Sequence, residues 1–170
     1  MSSEKMDKST DTTAGATTDK ELLTPRFGPL KVSDDNVISF VSQIPGFEGL
    51  NNFVLVDHDE GGVFKWLQSI EDPEVAFLLT FPTLFKAGYT VPFRERYLTT
   101  LSAAGTEDVV VFVMVAASVL KGSVSLNLKA PILFNQANMR AMQCIIDSDE
   151  YPCKFMVELK GLTSKNRAAK

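Results

Sequence analysis

The stretch FVLVDHDEGGVFKWLQSIEDPEVAFLLT, residues 53–80, holds three runs rich in β-branched and aromatic side chains, broken at DHDEGG and at EDP. Such side chains suit a pleated, half-buried surface, whereas glycine, proline and aspartate punctuate a chain at turns. The stretch therefore reads as strand, hairpin, strand, turn, strand, over 53–57, 63–70 and 74–80. Gly61-Gly62 is the clearest glycine turn in the chain.

The same alternation of short apolar runs and turn residues extends in both directions. It predicts further strands at 28–32, 37–40, 108–116, 124–128, 132–135, 139–146 and 154–158. One helix is expected after Pro92, where FRERYLTTLSAAG sets Phe93, Tyr97 and Leu101 at helical spacing, with proline before and Gly105 beyond. It would close one end of the β core. The fold class is all-β, an antiparallel pseudobarrel or sandwich of short strands with one or two short helices, and Trp66 is placed in or beside its core.

At 170 residues with 45% apolar side chains, the chain suffices for one sizeable core. Residues 1–24 are rich in Ser, Thr and charge and are expected to be a disordered extension, residues 25–159 the β domain, and 160–170 a basic mobile tail. The longest apolar run, 109–117, is far below the roughly 18 residues of a membrane helix, and the N-terminus lacks the pattern of a signal peptide. A soluble, cytoplasmic protein without membrane contact is expected, monomeric when free. Two cysteines, Cys144 and Cys153, are too few for a secreted disulfide scaffold and are expected to be reduced thiols.

Charge is uneven. Residues 1–24 carry net −2 and residues 160–170 net +4, which leaves −6 on the body. An acidic body disfavours nucleic acid as a direct ligand, because phosphate binding requires clustered Lys and Arg that displace counterions. It suits a basic protein partner.

Catalytic chemistry finds little support. His58, in DHDEGG, is the single histidine, so a three-histidine metal centre is impossible and a hydrolase would have to use that one imidazole. As a calcium loop the segment fails, because Gly61 stands at an acidic position and Gln68 stands where a bidentate glutamate is needed. No phosphate-binding glycine loop occurs. The sequence predicts no catalytic residue, no metal and no cofactor, and therefore no enzyme.

Two turn-rich segments stand out instead. In Ile44-Pro45-Gly46-Phe47-Glu48 the proline fixes its φ, the glycine admits conformations closed to other residues, and Phe47 can plug a core beneath. The segment locks the entry to the strand at 53–57, with Phe47 and Glu48 as candidate partner contacts. Asn127-Leu128-Lys129-Ala130-Pro131-Ile132 reads as a strand end, with Asn127 bonding neighbouring backbone, Pro131 at a strand start and Lys129 as an exposed contact candidate.

Taken in order, IPGFE, FVLV, FKWLQS with Leu67-Gln68-Ser69, EVAF and LNLKAPILFN resemble the FliW family of bacterial flagellar assembly factors, from about Phe27 to Glu158. Phe81 departs from the polar residue common there. The resemblance implies a protein that binds newly made flagellin and, when free of it, binds CsrA, an RNA-binding translational repressor, and so relieves repression of flagellin translation. Basic CsrA would be steered by body acids, with Glu48 and the group Asp147, Asp149 and Glu150 as candidates. A general β-sandwich adaptor or secretion chaperone with other partners is the alternative.

Overall fold

The computed structural model describes residues 18–118 and 122–160. Among these, eleven strands and one α-helix, with short 3₁₀ turns at Pro82–Leu84 and Thr106–Asp108, follow in the order β1 (Lys20–Thr24), β2 (Gly28–Val32), β3 (Ile38–Phe40), β4 (Asn52–Asp57), β5 (Phe64–Ser69), β6 (Ala76–Thr80), α1 (Glu95–Leu101), β7 (Val109–Ala117), β8 (Ser123–Leu126), β9 (Ile132–Asn135), β10 (Arg140–Gln143) and β11 (Phe155–Glu158). The three runs of the opening stretch are β4, β5 and β6, paired antiparallel in sequence.

β7 decides the architecture. One edge pairs with β6; the other pairs first with β9, at Val109 to Phe112, and then with β8, at Val115 to Ala117. Through β9 the sheet returns by way of β10 and β3 to β4, so β3, β4, β5, β6, β7, β9 and β10 close into a barrel. All pairs in this ring are antiparallel except β3 with β10, which run parallel. β8 and β11 branch off as a flap, with β11 at its free edge.

This position explains the sequence of β7, VVVFVMVAA. Val110, Phe112 and Met114 face the barrel interior with Phe40, Phe53, Leu67, Leu79 and Phe134. Val113 and Val115 face a second core under the flap, with Leu126, Leu128, Tyr89 and Tyr151. Val109 and Val111 face α1. A strand covered on both faces gains nothing from polar alternation.

Two expectations are corrected. The helix does not close an end of the barrel; Tyr97 and Leu101 pack on the outer wall against Val109, Leu133 and Cys144, because apolar side chains on that wall need cover. The Asn135 and Asn138 amides donate to the Leu101 carbonyl at 3.1 and 2.8 Å, satisfying the end of the helix.

The second correction concerns the expected disordered extension, because Lys20–Thr24 is a strand paired with β2. The tip of this hairpin docks on β5, where the Arg26 guanidinium lies 4.2 Å from the Trp66 ring centre and Phe27 meets the same indole edge-on at 6.0 Å. Each contact is worth on the order of 1 kcal/mol. Trp66 is accordingly half-buried on the outer wall, beside the core. Residues 1–17 of the expected extension, and the basic tail after residue 160, lie outside the described residues.

Candidate functional site

The sequence motifs build scaffold first. Pro45-Gly46 occupies the centre of a tight turn closed by Phe47 N–H to the Ile44 carbonyl at 2.9 Å, with Gly46 at φ +84°. A second turn follows directly, with Gly49 at φ +91° and Leu50 N–H bonded to the Phe47 carbonyl at 3.2 Å. A side chain at either glycine would be strained in that left-handed conformation. Ile44 enters the barrel core, and Phe47 stands perpendicular to Phe77 at 4.7 Å. The N–H groups of Glu48 itself and of Gly46 hold the Glu48 carboxyl below the usual carboxylate range. That stabilising charge is present at neutral pH and is lost as pH falls through the lowered value.

Leu67, Gln68 and Ser69 are all buried. The Gln68 amide nitrogen lies within hydrogen-bond distance of the Ser69, Pro73 and Val75 carbonyls, and Ser69 Oγ accepts from Asp72 N–H, so both residues fasten the turn after β5. The Asn127 side chain accepts from Ala130 N–H at 3.1 Å, as expected of it. The carbonyls of Leu128, Lys129, Ala130 and Pro131 take bonds from Tyr89 Oη, Ile146 N–H, the Gln143 amide and Cys144 N–H. This segment leads directly into β9 and Ile132. Burial pushes the Tyr89 phenol well above its usual range, which keeps it a donor to Leu128.

Lys129 is half-buried rather than exposed, and its carbonyl accepts from Ile146 N–H at 2.8 Å in the loop after β10. Asp147, Asp149 and Glu150 are exposed on that loop, just beyond Ile146 in the second core. Phe47 packs on Phe77 of β6, and the neighbouring Glu48 carboxylate accepts from Gly46 N–H at 3.1 Å. The structure thus separates the candidates into two groups, Phe47 with Glu48, and Lys129 with the acidic loop.

At DHDEGG the loop is a hairpin between β4 and β5. Asp57 pairs with Lys65, and the Asp59 carboxylate accepts from Phe64 N–H at 3.1 Å. His58 Nδ1 accepts the Trp66 indole N–H at 3.0 Å.

The feature that no local sequence pattern signals is a row across the sheet. Leu67 opposes Phe77; the β6–β7 register, extended by one residue, sets Phe77 opposite Ala116; Ala116 opposes Ser125, and Ser125 opposes Met156. The row begins at Leu67, 1% exposed inside the barrel, and ends at Met156, 48% exposed at the free edge. Alternating side chains on the far face are covered by the second core, so this face is the open one. The middle of the row, Phe77, Ala116 and Ser125, lines a groove of about 430 Å³ together with Met114, Cys153 and Lys154 and with Trp66, Leu78 and Val115 of the neighbouring row. Phe47, 37% exposed, packs on Phe77, which lines that groove.

The two thiols differ sharply. Cys144 is buried beneath α1, and burial raises its thiol to about 11, whereas Cys153 is exposed beside the groove. The neutral Cys144 thiol contributes stability below the unfolded cysteine range, lost as pH rises toward about 11. With a chromogenic disulfide reagent at pH 8, Cys153 is expected to react within seconds to minutes and Cys144 only at the rate of unfolding. Two fast equivalents would refute that burial.

The comparisons with known proteins agree with this fold. The family model described as FliW protein matches residues 21–157. A flagellar assembly factor FliW of Caldanaerobacter subterraneus subsp. tengcongensis is 39% identical over 147 residues, 85% of this chain and 98% of that protein. A second, from Caldicellulosiruptor saccharolyticus, is 36% identical over 129 residues, 76% of this chain and 84% of its own length. A crystal structure of the flagellar assembly factor FliW superposes with a TM-score of 0.73 at 26% identity, covering 82% of this chain and 96% of that one. No helix among the described residues is long and apolar enough to cross a membrane.

Proposed function

The chain belongs to the FliW family, and on that premise we propose that it is a cytoplasmic flagellar assembly factor that binds flagellin and, when free of it, binds and antagonises CsrA. The open, largely apolar groove lined by Phe77, Met114, Val115 and Ala116 is the observation that carries this reading. Such a groove suits an amphipathic helix that folds only when packed, as a terminal segment of flagellin does. Phe47 and Glu48 then contact the partner at the rim.

CsrA is the basic partner. It must carry positive charge where it holds RNA, and a body of net −6 steers its approach and disfavours phosphate nearby. Antagonism then needs no occupation of the RNA site. The chain binds CsrA that already carries RNA and speeds RNA release.

Flagellin with and without its terminal segments, titrated calorimetrically at low and high salt, tests the first half. Loss of binding on truncation, with little salt dependence, is expected of apolar burial. Equal binding by flagellin lacking both termini would overturn it. For CsrA, reversing the charges of Asp147, Asp149 and Glu150 together is expected to weaken binding about tenfold, chiefly through slower association, because each rim charge is worth under about 1 kcal/mol. Flagellin affinity should change less than about twofold. An RNA off-rate independent of the concentration of this protein would leave only capture of free CsrA.

A further inference from the structure

We infer that the free edge of β11 pairs with the same edge of a second copy of this chain, forming a weak, reversible dimer about a twofold axis through Met156. β11 pairs only with β8 among the described residues. In that pair Leu159 N–H donates to the Gly122 carbonyl, in the register that also sets Phe155 opposite Leu126. Residues of the same parity, Phe155 and Val157, therefore turn their backbone groups toward β8. Lys154, Met156 and Glu158 turn theirs outward.

Those residues are complementary to themselves. When two such strands run antiparallel with Met156 opposite Met156, Lys154 of each copy stands opposite Glu158 of the other. This register is also one in which all three residues exchange backbone hydrogen bonds across the axis. Lys154 and Glu158 are exposed, and Met156 is 48% exposed, so the charges are available and an apolar side chain gains cover. A register displaced by two residues would leave a charge unmatched at each end.

One short edge strand per copy falls below the roughly 1,200 Å² of a stable interface, which makes the dimer a high-concentration species. The two rows would then meet end to end at the Met156 pair.

Sedimentation equilibrium of the full chain from about 10 μM to about 1 mM tests the inference, with dissociation on the order of 10² μM expected. Met156→Pro removes an N–H that turns away from β8 and pairs with no strand among the described residues, at a position where an edge strand tolerates proline, and should abolish the dimer with circular dichroism unchanged. Lys154→Glu and Glu158→Lys should each raise the dissociation constant about tenfold, and the double exchange should restore it. A chain monomeric at about 1 mM would overturn the inference. A dimer indifferent to Met156→Pro and to the charge changes would assign association to another surface and overturn it equally. Dimerisation only after deletion of residues 161–170 would give the edge to that segment of the chain instead, and the inference would fall.

Discussion

Phe53→Ala is expected to lower the free energy of unfolding by about 3–5 kcal/mol, a large part of the 5–15 kcal/mol typical of a single domain. Phe53 is fully buried and meets Phe40 edge-on at 5.1 Å, with Phe77 at 6.1 Å. It sits on β4 between the ladders to β3 and β5, so ring closure fixes the walls around it and they cannot collapse into the space it leaves. Urea unfolding followed by the single tryptophan gives the measurement. A loss below about 1 kcal/mol would mean that the barrel relaxes over the site.

Ala116→Arg is expected to weaken flagellin binding by about a hundredfold or more while leaving the unfolding midpoint unchanged. Ala116 is exposed in the free protein, between Phe77 and Ser125, so a longer side chain there displaces nothing in the fold. Under a bound apolar helix the same guanidinium would be buried without a partner, at a cost of roughly 3 kcal/mol or more. CsrA binding, if it depends on the exposed acids, should fall far less. Calorimetric titration of both partners separates the two outcomes, and undiminished flagellin affinity would move the flagellin site off this groove.

Most of the strand order was legible because each ladder strand carries its own signal: β-branched residues between turns, as in FVLV and FKWLQS. β1 was not, because KELLT follows a Ser/Thr-rich segment and alternates poorly; its order depends on pairing with GPLKV and on Arg26 and Phe27 finding Trp66. Sequence periodicity also could not place α1 on a wall rather than at an end. That depends on which strands become neighbours.

The site was less legible than the fold. Leu67, Gln68, Ser69, Asn127, Leu128 and Pro131 stand out in the sequence, and each proves to hold turns or cores. Ala116, Ser125 and Met156 are unremarkable letters in three separate strands. Only the register between strands assembles them, and register is a long-range property that no window of the chain displays.

The parallel pairing of β3 with β10 has a consequence for birth on the ribosome. Arg140 lies opposite Ser39, a sequence separation of 101 residues. Translation at roughly 5–20 residues per second leaves β3 with one unsatisfied edge for about 5–20 s while the rest of the ring is made. High contact order of this kind slows folding and exposes the nascent chain to strand-pairing with its neighbours. On a polysome, where identical chains emerge side by side, the interval before β10 arrives is when this protein is most vulnerable to aggregation, and lowering the translation rate should increase the fraction recovered with a nascent-chain holdase.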